Sequence, residues 1–227
     1  SLTISQASQL ELSFTATTTD TLDCNGDSDG IIDLEVTGGT SPYSYSWSDG
    51  ATTQDHNGLT AGTYSVTVTD DNSCQADTSH TIYEPDILDA NVSATNVSCF
   101  GGSDGTIEIT SPSGGSGSYE YTIDGGTSWQ SSGSFSGLTA DTYDVRIRDA
   151  NATGCQIILN GSLAISQPDA LELSFTSNTT DTLACNGDSD GIIDLEVTGG
   201  TSTYSYSWSD GTTTQDRNGL PAGIYSV

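Results

Sequence analysis

The sequence has 227 residues and sets 31 Asp and Glu against three Arg and no Lys, for a net charge of −28. A surface this acidic repels phosphate backbones and anionic bilayers, which excludes nucleic acid as a partner. There is no run of about 18 apolar residues and no signal-type N-terminus, so no direct membrane insertion is expected and export signals are expected outside this stretch.

The chain repeats itself. At an offset of 161 residues Ser1–Val66 aligns with Ser162–Val227, and 54 of the 66 positions are identical. A weaker copy beginning at Cys99 lies between them, so the whole reads as a tandem array with alternating repeat types. The opening Ser1–Ala7 (SLTISQA) matches SLAISQP at Ser162–Pro168 and reads as the last strand of a preceding repeat. The expected divisions are therefore that strand at 1–9, repeat 1 at 10–86, repeat 2 at 87–169 and a partial repeat 3 at 170–227.

Within repeat 1 the hydrophobic pattern has period two. Ile32, Leu34 and Val36 alternate with Asp33, Glu35 and Thr37; Tyr43, Tyr45 and Trp47 alternate with serines; Tyr64, Val66 and Val68 alternate with Ser65, Thr67 and Thr69. Such segments are strands with one buried and one wet face. Gly38-Gly39, Asp49-Gly50 and Asn57-Gly58 supply the tight turns between them. Nothing shows a helical period. Short one-faced strands bury those faces only by pairing two sheets, so the expected fold is all-β: tandem immunoglobulin-like β-sandwich domains. The Leu59–Tyr64 segment reads as a tyrosine corner and recurs at Leu138–Tyr143, where Asp141 replaces Gly62, and at Leu220–Tyr225. Glu84-Pro85-Asp86 and Gln167-Pro168-Asp169 are short, stiff joints, which makes an extended rod or filament the expected arrangement.

Five cysteines follow the same rhythm. Cys24 and Cys74 are 50 residues apart, Cys99 and Cys155 are 56 apart, and Cys185 stands without a partner. A repeat of this size buries a core worth about 3–5 kcal/mol net. Closing a 50-residue loop adds about 4 kcal/mol in the chain-entropy treatment. One disulfide per domain, Cys24–Cys74 and Cys99–Cys155, with the Cys185 partner outside the fragment, is therefore the expected pattern, and it requires an oxidising compartment. The Cys24–Cys74 bond needs an even number of strands between its ends, which places an additional edge strand at Ala51–His56, flanked by strands near Leu10–Thr15 and Asp77–Tyr83.

Three landmarks recur in order: the Cys-x-Gly-x-x-Asp-Gly turn at Cys24, Cys99 and Cys185, a Tyr-x-Tyr strand (Tyr43/Tyr45, Tyr119/Tyr121, Tyr204/Tyr206) and the Leu-x-Ala-x-x-Tyr corner. In these the chain resembles the SprB repeat, the module reiterated in large cell-surface gliding adhesins of the Bacteroidetes. The resemblance implies an extracellular, cell-surface filament exported by the type IX system and moved by motility machinery while gripping a substratum. Its expected partners are neighbouring repeats of the same chain, with surface polysaccharide or other filaments beyond them. A different class of function, a non-catalytic spacer or glycan-binding array of a secreted polysaccharide-degrading protein, competes with it.

Candidate sites are few. Asn25, Asp27, Asp29 and Asp33 put oxygen ligands at alternate positions around a glycine turn, as a calcium loop does, but the twelfth position is Val36 where such a loop has Glu. The feature shared by all copies is the turn itself, which reads first as a structural Asx turn and only second as a calcium site; no other cofactor is indicated. Trp47 and Trp208 suit sugar stacking in type, yet alternation places them in the core, while Trp129 sits in a loop. His56 becomes Arg217 in the near-identical copy and His80 lies in a strand pattern, so neither is a shared general base and no enzymatic activity is expected. Thr21 and Thr182, each in an Asp-Thr-Leu triplet, resemble the O-glycan attachment sites of the same bacterial group.

Overall fold

The structure, a computed structural model, describes residues 2–4, 6–180 and 182–227. Ser1 and Ser5 of the opening segment, and Asp181 of the second Asp-Thr-Leu triplet, lie outside the described residues.

Repeat 1 contains β1 (Glu11–Phe14), β2 (Gly30–Ile32), β3 (Leu34–Thr37), β4 (Ser44–Trp47), β5 (His56–Leu59), β6 (Gly62–Thr69) and β7 (Gln75–Ile82). One layer is made by β1 on β3 and β2 on β5; the other is the sheet β4-β6-β7. The apolar faces read from the sequence meet between them. Ile32, Leu34 and Leu59 from one layer and Trp47, Val66, Val68 and Ile82 from the other, with Leu10 and Leu22, form the core. Burying each such side chain contributes about 1.5–3 kcal/mol. The Tyr64 hydroxyl donates to the Thr60 carbonyl at 3.0 Å, completing the tyrosine corner. Tyr143 repeats this on Thr139 and Tyr225 on Pro221, both at 2.9 Å, so the corner forms with Asp141 where repeat 1 has Gly62. This is the immunoglobulin-like sandwich.

Repeat 2 has six strands, β8 (Asp89–Thr95), β9 (Gly105–Ser113), β10 (Tyr119–Thr122), β11 (Ser134–Leu138), β12 (Asp141–Asp149) and β13 (Gln156–Ile165), with the continuous β9 in place of β2 and β3, arranged as sheets β11-β9-β8 and β10-β12-β13. Repeat 3 carries β14 (Glu172–Phe175), β15 (Gly191–Ile193), β16 (Leu195–Thr198) and β17 (Arg217–Leu220), paired as β14-β16 and β15-β17 in the registers of their repeat 1 counterparts. By contacts the chain parts into two compact units, residues 1–91, 110–131 and 145–159 in one and residues 92–109, 132–144 and 160–227 in the other. Leu2 and Ile4 of the expected opening strand are exposed and outside any strand, since a strand exists only against a neighbour.

Three expectations are corrected. The single strand at Ile31–Thr37 is two strands broken at Asp33, whose carboxylate accepts hydroxyl hydrogen bonds from Thr15 at 2.7 Å and Thr17 at 2.5 Å. The edge strand at Ala51–His56 is absent; Trp47 N–H bonds the Ala51 carbonyl in a tight turn, and the strand that follows is β5. Most consequentially, Cys24 is joined not to Cys74 but to Cys155, and Cys74, Cys99 and Cys185 are free thiols, so neither Cys24–Cys74 nor Cys99–Cys155 exists.

The physical reason is chain direction. Thr69 pairs with Ser44 and Gln75 at one end of the β4-β6-β7 sheet, and Gly62 pairs with Ile82 at the other. Cys74 stands at the Thr69 end. Cys24 follows Leu22, whose N–H bonds the Tyr83 carbonyl, and therefore stands at the Ile82 end. The eight residues of β7 separate the two ends by about 26 Å at roughly 3.3 Å per residue. The even-strand rule fails because β4 and β5 run in the same direction, one descent that changes sheet midway. Between them lies only the tight turn Trp47–Ala51, after which the chain resumes the direction of β4.

Candidate functional site: the stapled joint between repeats 1 and 2

The Cys24 turn is built to sit on the exit of its own repeat. Gly26 takes φ +82°, a conformation open to glycine, and its N–H bonds the Glu84 carboxylate at 2.7 Å. The Asn25 side-chain amide donates to the Pro85 carbonyl at 3.0 Å, and Asp27 accepts from the Cys24 N–H at 3.2 Å. The turn is thereby fastened to the Glu84-Pro85-Asp86 joint.

The partner cysteine arrives on the β12–β13 hairpin of repeat 2. Asp149 is buried at the head of that hairpin, where it accepts from the N–H and hydroxyl of Ser116 and from the N–H groups of Asn151 and Ala152. Burial works against its ionisation, and these donors outweigh it, holding the carboxyl below the usual aspartate range. Asp149 N–H bonds the Cys155 carbonyl at 2.9 Å, which fixes the hairpin end. The Cys24 and Cys155 Cα atoms are 5.3 Å apart, within the range a disulfide spans. A cleft of about 270 Å³ opens beside the bond, walled by Asn25, Pro85, Leu88 and Ile157.

The other candidate residues are dispersed. Asn25 and Asp27 serve the turn, Asp29 faces solvent, and Asp33 is occupied by Thr15 and Thr17, whose hydroxyls lower its pKa. The calcium set is not brought together, and among the described residues no three His, Cys, Asp or Glu side chains converge on a metal position. Trp47 and Trp208 are buried, each donating its indole N–H at 2.8 Å to the Thr53 and Thr214 carbonyls, which leaves no face for a sugar. Trp129 is half-buried beneath the Arg148 guanidinium, 4.3 Å from its ring centre. His80 lies against Phe14 with its Nε2 3.0 Å from the Thr19 carbonyl. Thr21 and Thr182 are exposed.

Sequence reasoning missed the inter-repeat bond because intervals of 50 and 56 residues look like pairs within a repeat. The signal that could have found it is the Asp70/Asp149 hairpin cap. It places Cys74 and Cys155 at the entry end of their repeats, while the Glu84 and Gln167 contacts place Cys24 and Cys99 at the exit end.

The turn, the Tyr-x-Tyr segment and the corner thus recur in three copies of one module, the segment forming a strand in repeats 1 and 2, and the SprB repeat model matches each copy, over residues 15–52, 91–128 and 176–213, half of the chain. The chain belongs to the SprB repeat family. Among solved structures, these SprB repeats are similar to the three N-terminal domains of the bacteriophage RB49 highly immunogenic outer capsid protein Hoc. There the identity is 15%, with 91% of this chain and 78% of that chain covered and a TM-score of 0.39. They are also similar to domains 4–9 of the surface layer protein SbsC at 14% identity, over 94% of this chain and 38% of that one, with a TM-score of 0.26. No curated protein matches the chain.

Proposed function

We propose that this SprB repeat array is a load-bearing, non-catalytic segment of an extracellular surface filament of the gliding-adhesin kind, carried out of the cell by the type IX route. The observation that carries this reading is the Cys24–Cys155 bond, which ties one repeat to the next across the proline joint. A domain that acts alone gains nothing from being bonded to its neighbour. A chain under tension does, because force that would open the joint meets a covalent bond. The bond also demands an oxidising compartment, as an exposed surface provides. A net charge of −28 keeps such filaments apart and soluble in a salty medium.

Pulling single molecules from the two chain ends tests the load-bearing role. The disulfide encloses a loop of 131 residues, so about 46 nm of contour at roughly 3.5 Å per residue should stay hidden while it is intact and appear on adding reductant. Equal lengths with and without reductant would refute it. Removing a filament containing these repeats from the cell should abolish movement over a surface; undiminished movement would remove the gliding assignment while leaving the mechanical one.

A further inference from the structure

We infer that the chain is one stretch of a disulfide ladder, in which the turn cysteine of each repeat bonds the hairpin cysteine of the repeat that follows. Cys24–Cys155 is one rung. Cys99 forms the next with the repeat 3 residue equivalent to Cys74, and Cys74 itself receives the turn cysteine of a preceding repeat. This stands on geometry, independently of what the filament grips.

Two classes of cysteine are distinguished by their surroundings. Cys24, Cys99 and Cys185 each close a turn in which the cysteine carbonyl accepts the N–H of Asp27, Gly102 or Asp188 at 3.4, 3.0 and 3.2 Å. The first two turns dock on the exit joint of their own repeat, Gly26 N–H on Glu84 and Gly101 N–H on the Gln167 side chain at 2.9 Å. Cys74 and Cys155 each close the last hairpin, their carbonyls accepting the N–H of Asp70 and Asp149 at 3.0 and 2.9 Å. Around them the same side chains recur: Asn72 on the Thr40 hydroxyl and Asn151 on the Ser116 hydroxyl, both at 2.8 Å.

A second, independent contact places the next rung. Thr40 marks the Cys74 hairpin, its carbonyl accepting the Asp71 N–H at 2.9 Å and its hydroxyl taking the Asn72 amide. Its counterpart 161 residues on is Thr201, and the Thr201 hydroxyl lies 3.4 Å from the carbonyl of Ser98, the residue before Cys99. The repeat 3 counterpart of the loop that cradles the hairpin cysteine in repeat 1 therefore rests beside the turn cysteine of repeat 2. Cys74, Cys99 and Cys185 are all exposed, so each is accessible to a partner thiol.

Each rung forms by thiol–disulfide exchange. One thiolate attacks a disulfide oxidant, the second displaces the oxidant's remaining thiol, and two protons and two electrons leave the protein as the oxidant becomes two thiols.

The test extends the whole chain past Val227 with a copy of Thr67–Asp86, which continues repeat 3 in the register of repeat 1. The protein is oxidised in glutathione redox buffer and mapped by mass spectrometry of a non-reduced digest. The appended copy of Cys74 should be linked to Cys99, Cys24–Cys155 retained, and Cys74 and Cys185 alkylated as free thiols; Cys99→Ser should leave the appended cysteine free. A link from the appended cysteine to Cys185, or full alkylation of Cys99 in the extended chain, would overturn the ladder. The unextended chain gives a second readout: without denaturant, Cys74, Cys99 and Cys185 should alkylate while Cys24 and Cys155 do not. A Cys24–Cys74 or Cys99–Cys155 peptide there would equally defeat it.

Discussion

The imidazole Nε2 of His56 lies 2.5 Å from the Asp49 carboxylate, and in repeat 3 the guanidinium of Arg217 occupies the same seat on Asp210 at 2.6 Å. Each side chain also lies against the same two rings. His56 is 5.5 Å from Trp47 and 5.9 Å from Tyr64, and Arg217 is 5.4 Å from Trp208 and 5.7 Å from Tyr225. A position that reads as a changing residue in the sequence is one fixed role, a nitrogen-bearing side chain clamping the β4 turn to the tyrosine corner. The His56 hydrogen bond lowers the Asp49 pKa, and Arg217 brings Asp210 down to about 2.

The guanidinium grips in two places, with Nη1 and Nη2 both on Asp210, so His56→Arg should stabilise repeat 1. Because the carboxylates are partly exposed the gain is small, about 0.5 kcal/mol or roughly 3 °C in Tm at neutral pH, and it should shrink in 1 M salt. A lower Tm for the variant would show that the site is fitted to the imidazole's shape and that a second nitrogen on Asp49 adds nothing.

Leu34 is fully buried, and its backbone groups are answered by side chains: the Gln54 amide donates to its carbonyl at 2.6 Å and the Asp55 carboxylate accepts its N–H at 3.2 Å. Gln215 and Asp216 do the same for Leu195. Gln54→Ala leaves a buried carbonyl unpartnered and should cost about 1–3 kcal/mol in urea denaturation. A loss below about 0.5 kcal/mol would mean that water takes over the bond.

Two glycines with positive φ should respond unequally to alanine. Gly50 has φ +93° with open space where a Cβ would stand, so Gly50→Ala meets only backbone strain, about 1 kcal/mol. Gly38 has φ +70° and its Cβ would fall 1.8 Å from the Gln9 carbonyl oxygen, so Gly38→Ala must also displace backbone and should cost about 3 kcal/mol or more. Equal losses by chemical denaturation would contradict the packing of Gly38 on the chain entering β1.

Acid should unfold the protein through its hairpin caps. Asp70 is held below the ordinary aspartate range first by the Cys74 N–H and then by those of Thr40 and Asn72, and Asp149 is lowered in the same way. A carboxyl whose pKa is depressed on folding contributes stability that is complete above the unfolded value near 3.9 and is lost as pH falls through the native value. Protonation also relaxes the acidic self-repulsion, but 0.5 M salt screens that term. At 0.5 M salt Tm should therefore hold steady from about pH 7 to 5 and fall below about pH 4, and Asp149→Asn should melt lower at pH 7 with the gap closing in acid. A Tm that rises on acidification at this salt would disprove the cap argument.

Much of the fold was legible in the sequence because its causes are local. Alternation at Tyr64–Val68 and Tyr43–Trp47 gave strands and core, since side chains of a strand point to opposite faces whatever the partner. Gly38-Gly39 and Asp49-Gly50 marked turns through their backbone freedom, and the Leu-x-Ala-x-x-Tyr corner bonds within four residues, whereas Asn57-Gly58, expected as a turn, lies inside β5 where its register against β2 shifts. What only the tertiary structure decided is what depends on direction and end. Whether the chain reverses after Trp47 is a property of two sheets, and it alone puts Cys24 about a full strand length from Cys74 and against Cys155, 131 residues away. The break at Asp33 and the Gln54 clamp belong to the same class, because each side chain finds a backbone or hydroxyl brought near by packing. A repeating sequence states which residues are equivalent. Which repeat each equivalent residue reaches is set by the end of the sandwich it occupies.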